Sequence, residues 1–297
     1  MNITLSELFL ILFVWIDDWH QGHFTMKRTA GRPALLSDSE MLTLMIVMDF
    51  IEFSSERHYV EFMKRHYRNL FPHLLDHSQY NRRSRALISE LEELRWAFNS
   101  FIGIKQNYCI IDTTPIVAVG MTRDKSHSDF AGIASYGYCA TKRLVYYGFK
   151  LVMLCNLEGL PLHIELVPAN TDERAAADEI LDKLSCGSIV IGDKGFIGKD
   201  WQNRWSHQGI NILAFTRKNQ HTQISHRLWR RLRGIRARIE GTYKLLKENG
   251  RSIEHTLAHT VEGLCTRVVA KITSLASKLF LRKEFGIDVL TFTQQIN

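Results

Sequence analysis

The first hundred residues carry apolar and polar positions at the spacing of helices. A run of nine apolar residues, LFLILFVWI at 8–16, predicts a buried N-terminal helix, because a bilayer span takes about 20 residues. Ser37 and Glu40 fit a capping box ahead of the apolar run at 41–48. Mixed apolar and charged spacing at 53–67 and 84–101 predicts two surface helices. Since few strand-like runs occur here, the pattern predicts an all-α region.

The pattern changes near Gly103, where short apolar runs replace the helical spacing. Two β-rich runs, 144–156 and 160–167, flank Glu158-Gly159, which is typical of a hairpin. The predicted strands are 108–112, 144–156, 160–167, 188–193 and 210–215, and the predicted helices begin near Thr171, Leu228 and Glu254. Strands mixed with helices predict an α/β layer of helices packed on a sheet. We therefore expect two domains, 1–102 and 103–297.

The composition is that of a globular protein, with 45% hydrophobic and 23% charged residues in a chain of 297. The five cysteines form no CxxC pair, which disfavours a disulfide framework or a zinc ribbon and favours a reducing compartment. The N-terminal apolar run lacks the basic leader and cleavage site of a secretory signal. We therefore expect a cytoplasmic protein with no membrane partner.

Positive charge is concentrated in one segment. The chain has a formal net charge of +7, which is compatible with nucleic acid, an anionic membrane or an acidic partner. Residues 227–254 hold nearly all of this excess, with basic side chains spread along a predicted helix. A second basic stretch, 64–85, has Asp76 as its single acidic residue.

Two apolar runs each end in an aspartate, Asp112 and Asp193. Asp is a poor residue for a strand interior, and ligands of open α/β sheets bind at the carboxyl ends of strands. Two carboxylates placed there repel each other unless a cation neutralises them, and Mg²⁺ prefers such oxygen ligands. The pair therefore suggests a metal site. The alternative is that each aspartate caps a turn, and GDKG at 192–195 fits a simple turn.

A third candidate, Glu240, lies in the basic helix at the edge of its apolar stripe. Its neighbours at helical spacing are Arg233, Arg236, Lys244 and Lys247. The alternative is an i,i+4 ion pair with Arg236, worth a few tenths of a kcal/mol. Two aspartates and a glutamate could together hold two metal ions about 4 Å apart for in-line phosphodiester displacement. The surrounding cations would offset the carboxylates for a polyanionic substrate.

The sequence resembles insertion-sequence transposases of the DDE type, which have a ribonuclease H-like catalytic domain, and particularly the 982 group of insertion sequences. The segments that carry the resemblance are GRPALLSDSE (31–40), YCIIDTTPI (108–116), GYCATKRLVYYGFKLVML (137–154), LPLHIELVPANTDE (160–173), IVIGDKGFIGKD (189–200) and RARIEGTYKLLKENG (236–250). Arg236, Glu240 and Lys247 also match an R-x3-E-x6-K pattern of related transposases. The Tyr that often stands three residues before the Arg is Arg233 here.

The resemblance implies a ribonuclease H-like mixed sheet flanked by helices, preceded by an all-α DNA-binding region. It implies cleavage of DNA at the ends of a mobile element, joining of those ends to target DNA, and active assemblies of two or more copies. Asp112, Asp193 and Glu240 would be the catalytic residues and the ligands of two Mg²⁺ ions, with Mn²⁺ as the alternative. The expected DNA contacts are Arg233, Arg236, Lys244, Lys247 and Lys194. The N-terminal region would bind terminal inverted repeats.

Two other functions share these residues. A ribonuclease H-like nuclease would only hydrolyse phosphodiesters, and a catalytically silent DNA-binding regulator would retain the basic helix without the chemistry. Two further sites also stay open. Lys142 and Arg143 could hold phosphate or belong to a solvated strand edge, and His127 and Asp129 could support the metal or DNA from a polar loop.

Overall fold

The computed structural model describes residues 3–24, 34–53, 55–103, 107–123, 125–140, 142–215, 225–248, 252–254 and 256–290. Residues 31–33, 141 and 249–250, within segments that carry the resemblance, lie outside these ranges. The chain divides into two compact units. The helical unit comprises Met1–Phe98, Glu248–Ser252 and Val261–Asn297, and the sheet unit comprises Asn99–Lys247 and Ile253–Thr260.

The N-terminal region is helical, as predicted. Its helices are α1 Leu5–His23, α2 Asp38–Val47, α3 Glu56–His66, α4 His77–Ala86 and α5 Ile88–Ile102. The predicted capping box starts α2, because Ser37 Oγ accepts the Glu40 N–H at 3.1 Å and Glu40 Oε2 accepts the Ser37 N–H at 2.6 Å. The apolar run at 8–16 forms a buried helix face, with Leu8, Leu12 and Ile16 fully buried. The helix predicted over 84–101 is instead two helices that meet at Leu87.

The last helix, α9 Val261–Phe285, belongs to the helical unit. The predicted start at Glu254 is wrong by seven residues, because Glu254 is buried in contacts with the sheet unit's own strands. The tilted contact between the Phe98 and Phe280 rings, with centroids 5.1 Å apart, helps hold α9 in its unit. The chain passes from the helical unit to the sheet unit after Phe98, four residues before the boundary expected at 102/103. The return of α9 to the helical unit depends on contacts between residues far apart in the sequence, which a local pattern does not reveal.

An ion cluster is buried in the helical unit. Asp49 Oδ1 accepts a hydrogen bond from Lys271 Nζ at 3.0 Å, and the Asp49 backbone oxygen accepts one from Lys278 Nζ at 2.9 Å. Burial lowers the pKa of Lys278 to about 8, although the Asp49 charge opposes this shift. Since a buried charge costs free energy unless it is fully paired, Lys278 is a weak point of this core.

Lys278→Met is therefore expected to raise the free energy of unfolding by on the order of 2 kcal/mol at pH 7. Below about pH 8 the folded protein carries the full cost of the charged Lys278 amine, and this cost disappears as pH rises toward the ordinary lysine pKa. The gain should consequently shrink between pH 8 and pH 10. Thermal unfolding of the wild type and the variant at pH 7 and pH 10 measures this change.

Lys283→Met is the matched control, because Lys283 lies on the same helix and is exposed. Its effect should stay within about 0.5 kcal/mol at both pH values. A Lys278→Met protein that is less stable than the wild type at both pH values would contradict the burial argument.

The sheet unit contains a mixed sheet flanked by helices. Its strands are β1 Tyr108–Val119, β2 Ser135–Cys139, β3 Leu144–Asn156, β4 Pro161–Pro168, β5 Ile189–Gly192 and β6 Asn211–Ala214. Its helices beyond the end of α5 are α6 Glu173–Leu181, α7 Lys199–His207 and α8 His226–Glu248. The described strands run in the order β2-β3-β1-β5-β6, and β4 also pairs with β3. β3 is antiparallel to β1, whereas β5 and β6 continue the sheet in parallel. The fold is thus the predicted mixed α/β sheet flanked by helices.

The two faces of the sheet carry different helices. On one face, Ile111 of β1 and Val152 of β3 share an apolar cluster with Ile180 of α6 and Trp205 of α7. On the other face, Ile191 of β5 packs with Leu232 of α8. Because side chains alternate along a strand, Asp112 lies on the α8 face of β1 and Thr113 lies on the α6 face.

β1 corrects one sequence prediction. The strand does not end at Asp112 but continues to Val119 beside β3. The pairing of β1 with the shorter β5 stops at Ile110 and Ile191. Asp112 therefore stands just beyond the last β1–β5 pair, and Asp193 follows the end of β5. Both aspartates flank the place where β5 ends, although only Asp193 is at a strand terminus.

Candidate active site

Asp112 is a largely buried carboxylate on β1. Its Oδ1 accepts the Thr113 N–H at 2.8 Å. Burial raises the pKa of Asp112 to about 6; the Thr113 N–H lowers it, Asp193 and Glu173 raise it further, and Arg236 lowers it. The structure thus brings Asp112 within electrostatic reach of two other carboxylates and one guanidinium.

Asp193 begins a short 3₁₀ turn, Lys194–Phe196, and its Oδ1 accepts the Gly195 N–H at 2.7 Å. The turn-cap alternative is therefore present in the structure and is compatible with a second role. A Cβ on Gly195 would lie 3.0 Å from Asp193 Oδ1 and 1.7 Å from Glu173 Oε2. Because Gly195 has no side chain, these two carboxylates can both approach its Cα closely.

Glu173 is a site residue that the sequence reasoning missed. It is the first residue of α6, and its Oε1 accepts a hydrogen bond from Thr113 Oγ1 at 2.9 Å. In the sequence, Glu173 is an acidic residue in the first turn of a predicted helix. Acidic residues are common at that position, because they interact favourably with the helix dipole. The signal that could have found it is its place in PANTDE, directly after the hairpin and within a segment that carries the resemblance.

Glu240 lies on α8, and the same helix contacts the strand that carries Asp112. Tyr243, three residues after Glu240, donates its hydroxyl hydrogen bond to the backbone oxygen of Asp112 at 2.9 Å. Arg236, Glu240, Tyr243 and Lys247 follow one another at i, i+4, i+7 and i+11, which places them on one helix face. This face therefore passes along β1 at Asp112.

The ion-pair alternative for Glu240 is also present. Arg236 Nη2 donates to Glu240 Oε1 at 2.5 Å, and the Glu240 side chain is 55% exposed. Among the described residues, no group of three or more His, Cys, Asp and Glu side chains is placed to hold one metal ion. The structure thus brings Asp193 and Glu173 within electrostatic reach of Asp112, and it pairs Glu240 with Arg236, which also acts on Asp112.

The other predicted DNA contacts are spread along the exposed side of α8 and beyond. Arg233 and Lys244 are exposed, and the Arg233 guanidinium lies 5.4 Å from the centre of the Trp229 ring. Lys194 is exposed next to Asp193. Lys247 forms an ion pair with Glu254 at 2.8 Å. These positions leave basic groups exposed along α8 and next to Asp193.

His127 and Asp129 are exposed in the turn-rich segment between β1 and β2. Ser126 Oγ lies 3.1 Å from His127 Nδ1. Neither residue is among the groups that shift the pKa of Asp112. No role at the carboxylate cluster follows for them from the described contacts.

The carboxylates fit a hard divalent cation by their chemistry. Asp112 and Asp193 supply oxygen donors, and the raised pKa of Asp112 reflects a buried negative charge that the protein neutralises incompletely. The Arg236 guanidinium supplies a positive charge that lowers this pKa. A divalent ion held by the two aspartates would supply the missing positive charge. Carboxylates of this kind beside a basic helix are compatible with an enzyme that acts on nucleic acid phosphodiesters.

Comparison with known proteins identifies the family. Residues 102–261 match the family described as Transposase DDE domain, and this match covers more than half of the chain. The chain belongs to that family: it is a DDE transposase, an enzyme that cleaves and joins DNA and depends on divalent metal ions. The nuclease-only and silent-regulator alternatives are not favoured. No curated protein matches the chain.

Solved structures of transposases show a distant likeness. The piggyBac transposase synaptic complex with hairpin DNA is 10% identical, with a TM-score of 0.48 over 96% of this chain and 76% of that chain. The Mos1 transposase paired-end complex with left transposon end is 13% identical, with a TM-score of 0.25 over 77% and 84%. The Mos1 mariner paired end complex with Mn is 17% identical, with a TM-score of 0.23 over 89% and 84%.

Among the described residues, no helix combines the length and the apolar character that a membrane span requires.

Proposed function

We propose that this transposase cleaves and joins the ends of an insertion sequence of the 982 group through Asp112, Asp193 and Glu240. The observation that carries the proposal is the hydrogen bond from Tyr243 to the backbone of Asp112. It holds the helix of Glu240 against the strand of Asp112, while Asp193 follows the neighbouring strand. Three acidic residues far apart in the sequence thereby lie on elements that meet at one place.

Asp112 and Asp193 would hold the metal, which we propose to be a pair of Mg²⁺ ions, with Mn²⁺ as the alternative. Divalent ions bound there would activate a water or 3′-hydroxyl nucleophile and stabilise the leaving oxygen. The third acidic residue, Glu240, would complete the set of metal ligands; its side chain pairs with Arg236. Thr113 donates its N–H to Asp112 and its hydroxyl hydrogen bond to Glu173, so one residue contacts both carboxylates.

The basic residues of α8 would bind the DNA backbone. The helix carries an excess of positive charge, and neutralised phosphates release their counterions on binding. We propose Arg233, Arg236, Lys244, Lys247 and Lys194 as phosphate contacts. The helical region 1–102 would bind terminal inverted repeats, residues 103–297 would form the catalytic domain, and two or more copies would act together in the cytoplasm.

An assay of end cleavage and joining tests this function. The substrate is DNA that carries the inverted repeats flanking the chain's own coding sequence, supplied with Mg²⁺, with Mn²⁺ or with EDTA. We expect cleavage at the element ends and joining to a second duplex with either metal, and neither product with EDTA. Cleavage without joining would favour a hydrolytic nuclease, and metal-independent products would overturn the proposed site.

A further inference from the structure

Glu254 is a buried carboxylate that holds two lysines. Its side chain is 7% exposed. Lys142 Nζ donates to Glu254 Oε2, and Lys247 Nζ lies 2.8 Å from Oε1. Thr114 Oγ1 also donates to Oε1, at 2.9 Å. Burial alone would raise the pKa of Glu254, but the hydrogen bonds from Lys142, Lys247 and Thr114 lower it below its usual value. The carboxylate is therefore charged at neutral pH.

Backbone contacts fix the segment that carries Glu254. The Ile253 N–H donates to the Leu246 backbone oxygen at 3.1 Å, so the chain folds back onto α8 after that helix ends. The Val117 N–H donates to the Glu254 backbone oxygen at 3.1 Å, which ties the same segment to β1. These backbone hydrogen bonds alone hold Glu254 between α8 and β1, independently of its side-chain contacts.

The two lysines and Glu254 together carry one positive charge beyond neutrality, since both ammonium groups contact the same buried carboxylate. Thr114 donates a further hydrogen bond to that carboxylate. The side chains of Lys142 and Lys247 are 40% and 30% exposed, so both ammonium groups remain accessible from solvent. Buried ion pairs are weak evidence for stability, and a surplus cation adds repulsion rather than strength. An anion bound between the two lysines would balance the charge.

The lysines stand beside the proposed catalytic carboxylates. Thr114 follows Asp112 by two residues, so the two side chains share one face of β1 about 6.6 to 6.8 Å apart. On α8, the Lys247 ammonium lies 5.6 Å from the ring centre of Tyr243, whose hydroxyl bonds to the Asp112 backbone. Through Thr114 and Tyr243, the lysine pair is therefore connected to the same strand and helix that carry Asp112 and Glu240.

We propose that Glu254 is a positioning residue that holds Lys142 and Lys247 as one binding pair for a DNA phosphate next to the scissile phosphodiester. The inference rests on the proposed function of Asp112 and Asp193. It assigns a role to Glu254 and resolves the two alternatives for Lys142 in favour of phosphate binding. Lys247 would contact DNA as part of this pair rather than alone.

The first test changes Lys142 and compares it with a lysine elsewhere in the sheet unit. Lys183→Gln is the matched control, because Lys183 is exposed and the change in net charge is the same. DNA affinity is measured in EDTA over a series of salt concentrations with a duplex that carries the element end. Lys142→Gln should weaken binding about tenfold and reduce the slope of log K against log salt by about one. Lys183→Gln should leave the slope unchanged.

The second test uses the sign of a charge change. Glu254→Gln and Glu158→Gln each remove one negative charge, and Glu158 is exposed in the hairpin between β3 and β4. Added positive charge alone would tighten DNA binding in both variants. If Glu254 positions the lysines, Glu254→Gln should instead weaken binding and slow single-turnover joining by roughly tenfold to a hundredfold. Glu254→Asp, which keeps the charge, should recover part of the loss.

The outcomes separate this inference from the proposed function. A wild type that joins DNA together with a Glu254→Gln variant that behaves like Glu158→Gln would overturn the lysine pair and leave the catalytic proposal intact. A wild type that does not join DNA would reject the proposed function first, while the salt series in EDTA would still report on Lys142. If Glu254→Gln fails to fold, the comparison of Lys142→Gln with Lys183→Gln decides the inference. Equal salt slopes for those two variants would reject it.

Discussion

Asp112→Asn is expected to abolish cleavage and joining while making the metal-free protein more stable at pH 7. The loss of activity should be roughly a thousandfold or more, as for removal of one member of a group that acts as a unit. The gain in stability follows from the pKa of Asp112, which burial raises to about 6. A residue that weakens its own fold and carries the chemistry is typical of an active site.

The sign of the stability change follows from proton binding. Between the ordinary aspartate pKa and about pH 6, the folded protein binds the Asp112 proton more tightly than the unfolded chain does. The charged carboxyl therefore costs stability in full above pH 6, and the cost is relieved as pH falls. Asp112→Asn should raise the free energy of unfolding by on the order of 2 to 3 kcal/mol at pH 7 and by much less at pH 4.

Thermal unfolding, with and without Mg²⁺, measures the change in stability. Asp182→Asn is the matched control, because Asp182 is exposed in the same unit and should change neither activity nor stability appreciably. Added Mg²⁺ should stabilise the wild type and leave the Asp112→Asn variant unchanged, since a ligand that binds only the folded state shifts its stability. Joining by Asp112→Asn within tenfold of the wild-type rate would remove Asp112 from the site.

Asp193→Asn should lose activity to a similar degree without the gain in stability. Its Oδ1 caps the Gly195 N–H, and an asparagine can form the same cap. The two substitutions would then differ in their effect on the free energy of unfolding and have a similar effect on cleavage and joining. A matching gain in stability for both variants would contradict the distinction between them.

Local patterns predicted most of the elements of the fold. The capping box at Ser37, the buried run at 8–16 and the hairpin at Glu158-Gly159 depend on residues a few positions apart, and all three are present. The extension of β1 across Pro115 was not predicted, because proline weakens a strand assignment and only the pairing with β3 supports it. Elements set by distant pairing are invisible to a single-sequence pattern.

The residues of the candidate site also fall into two groups, those that a local pattern predicted and those that depend on distant contacts. Asp112, Asp193 and Glu240 stood out because each interrupts or borders an apolar pattern. Glu173 and Glu254 did not, since their partners are far along the chain. Thr113 precedes Glu173 by 60 positions and Thr114 precedes Glu254 by 140. The two alternatives for Glu240, ion pair and catalytic carboxylate, are both compatible with the structure and need an experiment.

Glu240→Gln is that experiment, and we expect it to reduce joining by roughly a thousandfold while leaving the fold intact. The Glu240 side chain is 55% exposed and its contact with Arg236 is an i,i+4 pair, which contributes only a few tenths of a kcal/mol. Binding of DNA in EDTA should be unchanged or slightly tighter, because the variant gains one unit of net positive charge. A large loss of activity therefore cannot be attributed to unfolding or to weakened binding.

Glu248→Gln, an exposed position later on the same helix, controls for the change in charge and should join DNA at nearly the wild-type rate. Glu173→Gln makes the comparison decisive, because Glu173 already lies beside Asp193 at Gly195. If Glu240→Gln retains joining within tenfold and Glu173→Gln abolishes it, the third carboxylate is Glu173 and the Arg236–Glu240 pair is structural. If Glu240→Gln loses joining and Glu173→Gln retains most of it, Glu240 must leave Arg236 in the active complex to act with the two aspartates.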